Sequence, residues 1–287
     1  RFMPVSCLTW QRAFILSFCA RETINLAART LAIVTDKLFS RACSKELTFQ
    51  NIAKWSHIKG INIVGSGDFT HPVWIKEFEK LMKDSGNGLY NLKSEEYDDV
   101  YFILSTEVSC IYKKNGKVRR IHICILMPDI ESVKKFNEAL TSRGKNLRSD
   151  GRPILGMDAI EVLQIALEVN NKSLIIPAHI WTPWFAVMGS KSGFDSIEEC
   201  FEEYSRYIFA VETGLSSDPR MNWKLSSLDN YLLVSNSDAH SCENLGREAN
   251  VISLEKISYD EIYEIFKNHD KNKFLFTIEF YPEEGMY

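Results

Sequence analysis

The chain has 287 residues, 45% of them hydrophobic and 12% aromatic, which is ample for one large core. A formal net charge of −4 excludes a global positive field that recruits nucleic acid, so any such contact must come from local basic clusters. No apolar run approaches the roughly 20 residues of a spanning helix, and seven scattered cysteines without a CxxC pair fit the reduced, buried thiols of a cytoplasmic protein without membrane contact.

Residues 1–31 read as an atypical leader in which 21–29 can form a helix, and 32–287 as one barrel domain. The apolar stretch 13–20 resembles a signal peptide only faintly, being short. The run 31–36 looks like a first buried strand ending in Asp36, and 47–59 has helical spacing with Phe49, Ile52, Ala53 and Trp55 as its apolar positions. Strands and helices then alternate. A strand over 61–65 leads through Asp68 and His71 to a helix over 74–82. A strand over 100–104 is followed by Ser105-Thr106-Glu107. Asn115-Gly116 supplies the positive φ angles of a tight hairpin, whose return strand 120–127 carries His122.

The segment 132–140 is helical, 141–152 is a basic loop, and 157–169 is an amphipathic helix. A strand over 174–179 ends in His179, and an aromatic and glycine loop, 180–194, precedes a helix over 195–207. Further strands lie at 208–212 and 231–234, and strands 250–253 and 274–278 flank a helix over 259–269. Short apolar strands alternating with helices predict parallel βαβ units, and seven or eight of them favour a closed α/β barrel, with its active site at the C-terminal strand ends.

That is where the polar residues fall. Asp68, His71, Glu107, His179, Asp238 and His240 follow apolar runs directly, and His122 lies within one. Asp238 and His240 are two residues apart, so on an extended strand end both point to one side. Each residue alone has a plain structural reading: a hydrogen-bonded core histidine, an ion-pair glutamate, a helix-capping aspartate. Together, three carboxylates and four imidazoles at one end of a barrel need a cation to offset the cost of burying them. A cluster of divalent ions suits phosphoester hydrolysis, because the ions lower the pKa of a bound water and clamp the attacking and leaving oxygens. His57 and His269 stand outside this pattern, in surface or structural roles.

Two basic stretches can hold a phosphate backbone. One carries Lys113, Lys114, Lys117, Arg119 and Arg120, the other Arg148 and Arg152. In the loop after His179, Trp181 and Trp184 either pack the barrel mouth or stack on an unpaired base, with Lys191 nearby.

The words GSGDFTHP, STEVS, RRIHICIL, SDGRPILG, PAHIWTPWF, GSKSGFDSIEECF, ETGLSSDPRMNW, SNSDAH and LGREANV, in this order, closely resemble the PHP (polymerase and histidinol phosphatase) domain of endonuclease Q. The resemblance runs from about residue 32 to 287. It implies a distorted (β/α)₇ TIM-like barrel with a divalent metal cluster, zinc by type, with manganese or magnesium as alternatives. The implied ligands are Asp68, His71, Glu107, His122, His179, Asp238 and His240, with Asp238, His240 and Glu107 in catalytic roles. The implied activity is cleavage of DNA on the 5′ side of deaminated bases, uracil or hypoxanthine, or of abasic sites. Alternatives are a barrel that binds lesions without cutting and a phosphoesterase for a small phosphomonoester. In the family a His-x-His motif follows the first strand's aspartate. Here Asp36 runs straight into Lys37-Leu38-Phe39-Ser40, and no histidine precedes His57. The family also continues into a cysteine-bearing zinc element beyond the position of Tyr287.

Overall fold

The structure, a computed structural model, describes residues 28–33 and 44–285. In chain order its elements are β1 (Ala28–Ala32), α1 (Phe49–Lys59), β2 (Ile63–Gly65), α2 (Pro72–Leu81), β3 (Met82–Asp84), β4 (Tyr90–Leu92), β5 (Tyr101–Lys114) and β6 (Lys117–Met127). There follow α3 (Ile130–Ser142), α4 (Ala159–Val169), β7 (Leu174–Pro177), α5 (Ile197–Phe201), β8 (Ala210–Glu212), α6 (Pro219–Asn222) and β9 (Leu232–Val234). The chain ends with β10 (Ala249–Ser253), α7 (Tyr259–Lys267), β11 (Phe274–Ile278) and α8 (Pro282–Gly285).

The alternation of strand and helix is as expected, but the all-parallel order is not. β1, β2 and β5 pair in parallel, whereas β5, β6 and β7 form an antiparallel meander and β1 pairs antiparallel with β10. The hairpin decides the meander. Asn115 and Gly116 take φ of 54° and 74°, so Lys114 pairs with Lys117 and a two-residue turn leaves no room for a crossover. β5 therefore runs on well past residue 104, and Glu107 lies within it, opposite Cys124, instead of at its tip. β1 begins at Ala28, three residues before the predicted start, because Ala28 pairs with Ser253. Asp36 lies outside the described residues, as does the 37–43 stretch that stands where the family has its His-x-His motif. The predicted helix over 195–207 breaks at Glu202, whose φ of 52° is outside helical range, and continues as a 3₁₀ turn.

Nor do the strands form one closed sheet among the described residues. There, nine strands form one sheet, and β8 and β9 pair separately. Ile208 bridges Ile175 of β7 in parallel, which brings β8 alongside. Between β9 and β10 the described residues have no ladder. The fully buried Asn250 side chain spans that gap, accepting from the Ser235 N–H at 3.0 Å and lying 3.1 Å from the Ser235 carbonyl, 3.3 Å from the Leu31 carbonyl and 3.2 Å from Asn236 Oδ1.

Apolar packing holds the strands from outside and within. Phe49 of α1 meets Trp74, Phe78 and Phe102 edge to face at 5.7–6.0 Å, and Trp74 stacks on Phe78 at 4.5 Å. The hydroxyl of Tyr259 of α7, also fully buried, lies 2.8 Å from the Lys172 carbonyl oxygen and 3.1 Å from that of Leu126, its one proton shared between them. Among the described residues no helix is long and apolar enough to cross a membrane, and Cys110, Cys124, Cys200 and Cys242 are buried.

Since Asn250 substitutes for a missing strand pairing, Asn250→Ala should lower the unfolding free energy by about 2–3 kcal/mol, the cost of stranding buried backbone groups. Urea unfolding checks this, and an unchanged midpoint would remove Asn250 from that role.

Candidate metal centre

Three neighbouring strands bring one side chain each to a common point. Glu107 pairs across from Cys124 and His122 from Ser109, so Glu107 and His122 are diagonal neighbours on one face of the β5–β6 ladder. β7 pairs with β6 through Pro177 and Ile123, and the Ala178 N–H donates to the His122 carbonyl, so His179 arrives just beyond, one strand over. Neighbouring strands lie about 4.8 Å apart, and the side chains cover that distance.

Glu107 Oε1 stands 2.7 Å from His122 Nδ1 and 3.9 Å from His179 Nε2, and the two imidazole nitrogens are 3.2 Å apart. Arg152 Nη1 donates to the same Glu107 oxygen at 3.0 Å. Among the described residues, Glu107, His122 and His179 form a compact three-donor group, every ligand atom within 4.8 Å of the others. One carboxylate oxygen and two imidazole nitrogens suit a borderline divalent cation.

The electrostatics match. Burial drives the Glu107 carboxyl upward, but the close His122 ring with its hydrogen bond and the Arg152 guanidinium outweigh it and hold the group well below the usual carboxylate range. Burial lowers His179, against the pull of Glu107, so its imidazole is kept neutral. An anionic oxygen and a neutral imidazole are the forms that bind a metal.

The backbone at the site is left-handed where sequence alone suggests plain strand ends. His179 has φ of 30°, Asp68 of 52°, Asp238 of 43° and Phe185 of 63°. Such angles are rare outside glycine and persist only when the surroundings enforce them. For His179 the surroundings are plain. Its N–H donates to Glu212 Oε2 at 2.7 Å, and Gly214, itself at φ 70°, presses so closely that a Cβ there would lie 2.7 Å from the His179 Cβ.

The remaining predicted ligands lie outside this compact group. Asp68 is fully buried, and Gly151 abuts its carboxylate so tightly that any side chain at 151 would collide with it. His71 caps α2, its Nδ1 accepting from the Val73 N–H at 3.4 Å, and burial lowers its pKa. Asp238 does not share an extended strand face with His240. β9 stops at Val234, and His240 Nδ1 reaches the Asp238 carbonyl oxygen at 2.8 Å, with the carboxylate 3.7 Å away. The Asp238 charge nevertheless acts on His179 and Glu212, which sets it near the centre.

The predicted DNA contacts divide. Lys113, Lys117, Arg148 and Lys191 are exposed. Arg119 is buried against the Phe194 ring, 3.9 Å from its centroid, and pairs with Glu199. Its position opposite Tyr112 turns it inward, so it is a strut and not a phosphate contact. Lys114 likewise pairs with Glu202 at 2.6 Å, and Trp181 donates to Asn222 at 2.6 Å. Arg120 lies 4.8 Å over the Trp184 ring, which is 49% exposed. Arg152 points into the centre. His57 pairs with Asp99 at the surface, outside the site as expected.

Sequence reasoning missed Glu212. Buried beneath the centre, it accepts from Asn236 Nδ2 at 2.8 Å as well as from His179, and burial, with the Glu107 charge, pushes it up to about 8. A glutamate ending the strand Ala210-Val211-Glu212 is the same signal that marked the other candidates.

No protein-family model matches the chain. The uncharacterized protein YqxK of Bacillus subtilis is 30% identical over 258 residues, covering 85% of this chain and 61% of that protein. The lesion-specific endonuclease PfuEndoQ of Pyrococcus furiosus superposes with a TM-score of 0.78 at 30% identity, over 91% of this chain and 61% of its own. This chain resembles endonuclease Q. A complex of endonuclease Q with a 27-mer duplex, an abasic lesion at its active site, matches at a TM-score of 0.77 and 31% identity, over 89% of this chain and 60% of that one. The chain thus spans about three-fifths of the length of these relatives. The endonuclease Q likeness read from the sequence words extends to the backbone.

A second buried carboxyl generates a pH prediction. Glu248 is fully buried and pushed up to about 9, by burial first and then by the charges of Glu279 and Glu212. An acid raised on folding binds more protons in the native state, so the stability it contributes is present below its ordinary value and is lost as pH rises towards about 9. Urea unfolding of the metal-free Glu248→Gln variant from pH 5 to 9 should show a shallower decline than the parent, by up to about 1.4 kcal/mol per pH unit. Parallel profiles would contradict it.

Proposed function

We propose that this chain is the metal-dependent catalytic barrel of a DNA endonuclease, a hydrolase that cleaves on the 5′ side of deaminated bases, uracil or hypoxanthine, or of abasic sites. The observation that carries the proposal is the convergence of Glu107, His122 and His179 in a backbone similar to that of an endonuclease Q bound to an abasic duplex. Zinc suits the mixed nitrogen and oxygen donors, with manganese or magnesium as alternatives. Asp68, His71, Asp238 and His240 would extend the ligand set, with Asp238 and His240 joining Glu107 in the chemistry. A cytoplasmic setting and a role in DNA repair belong to the same proposal, since a lesion-directed endonuclease acts on cellular DNA.

A bound divalent ion supplies activation of water and charge neutralisation at the phosphate. The chain's own residues do the rest. Glu107 stays ionised and His179 neutral, so both offer lone pairs. Arg152, a quarter exposed and already aimed at Glu107, presents a planar fork that fits a phosphate oxygen. Trp184 with Arg120 offers an exposed aromatic face on which an unstacked base can rest. Lys113, Lys117, Arg148 and Lys191 are placed to meet the flanking backbone.

A second reading is a barrel that binds lesions without cutting, favoured by the lack of any histidine before His57. Single-turnover cleavage of a duplex with one uracil, hypoxanthine or abasic site separates the two. The parent protein should nick 5′ of the lesion only with divalent metal. Glu107→Gln should abolish nicking, and Arg152→Ala should slow it by about 100-fold, as loss of one charge-stabilising donor does. Lesion-dependent binding without metal-dependent nicking would select the second reading.

A further inference from the structure

We infer that Thr182 is a positioning residue that fixes the tautomer of His179, tying the exposed tip of the 180–194 loop to the metal centre. The inference rests on the metal-centre reading above.

Thr182 Oγ1 lies 2.8 Å from His179 Nδ1, 2.9 Å from the Trp184 carbonyl oxygen and 3.2 Å from the His179 carbonyl oxygen. Carbonyl oxygens only accept, and a hydroxyl has one proton to give. With that proton on the Trp184 carbonyl, the Thr182 oxygen can only accept from His179, so Nδ1 carries the imidazole hydrogen. Nε2 is then the bare nitrogen, and it is the one that faces His122 Nδ1 at 3.2 Å and Glu107 Oε1 at 3.9 Å. One hydroxyl thus satisfies a carbonyl and selects the ligand-ready form of the ring. The loop also meets the other histidine. The His122 backbone N–H donates to the Phe185 carbonyl at 2.9 Å, and the Phe185 ring lies 4.6 Å from the His122 ring.

The hydrogen-bond chain runs from Nε2 through the ring to Thr182 and on to the carbonyl of Trp184, whose indole is the exposed aromatic at the loop tip. Outer partners of this kind hold a ligand histidine in orientation and raise its basicity. The backbone of His179 is held separately, by Glu212 and Gly214, so loss of the hydroxyl leaves the ring in place and frees its tautomer.

The test uses the full chain with Thr182→Val, Thr182→Ser and His179→Ala. Zinc and manganese titration, without DNA, should show affinity falling by about 10- to 100-fold in Thr182→Val and returning to about the parent value in Thr182→Ser. In metal-free protein, nitrogen NMR of the His179 ring should show one Nδ1–H tautomer in the parent and a mixture in Thr182→Val. Parent-like affinity and a single unchanged tautomer in Thr182→Val would overturn the inference. If the parent itself bound no divalent ion, the metal reading would fall, while the metal-free tautomer measurement would still decide the role of Thr182.

Discussion

A buried carboxylate that must stay ionised governs this structure. Glu107 sits mid-strand with only 3% of its side chain exposed, where burial alone would force it neutral. Two imidazoles and a guanidinium converge on one of its oxygens and reverse that outcome. Each comes from a different part of the chain, so the β5–β6–β7 meander and the fold of the 143–158 segment over it are what make the charge tolerable. A divalent cation at the same point would meet the same requirement, and the three donor atoms are close enough together to hold one.

Around that charge the chain accepts local conformations it would otherwise avoid. His179, Asp68, Asp238 and Phe185 are left-handed, and Gly151 and Gly214 are pressed against Asp68 and His179 where no side chain fits. Glu212 holds the His179 backbone with its carboxyl raised to about 8, and Glu248, buried and acted on by the charges of Glu279 and Glu212, is raised to about 9. Asn236 and Asn250 knit the strand ends together. Strain, close approach and buried acids concentrate at one end of the sheet, as expected when a site is over-determined by its surroundings.

The likeness to endonuclease Q spans about nine-tenths of this chain and three-fifths of the relatives. Within this chain the 180–194 loop lies against the centre: Thr182 reaches the His179 ring, the Phe185 ring packs against that of His122, and Trp184 exposes an aromatic face.

The sequence by itself determined the local pieces. The Asn115-Gly116 turn, the alternation of strand and helix, and the strand Phe274–Ile278 all follow from turn chemistry and periodicity, which neighbouring residues record. Glu107, His122 and His179 were legible as candidates because polar residues beside apolar runs stand out. Only the tertiary structure decided which candidates meet. Arg152 reaches Glu107 across 45 residues of chain, and His179 reaches His122 across 57. Arg119, basic on paper, turns inward to Phe194 because strand register chose its face. Glu212 ends an apolar strand as the other candidates do, but what it holds exists only through His179, and Thr182 carries no signal in sequence at all. Local propensity is written in adjacent residues. Convergence depends on strand register, which no short stretch of sequence contains.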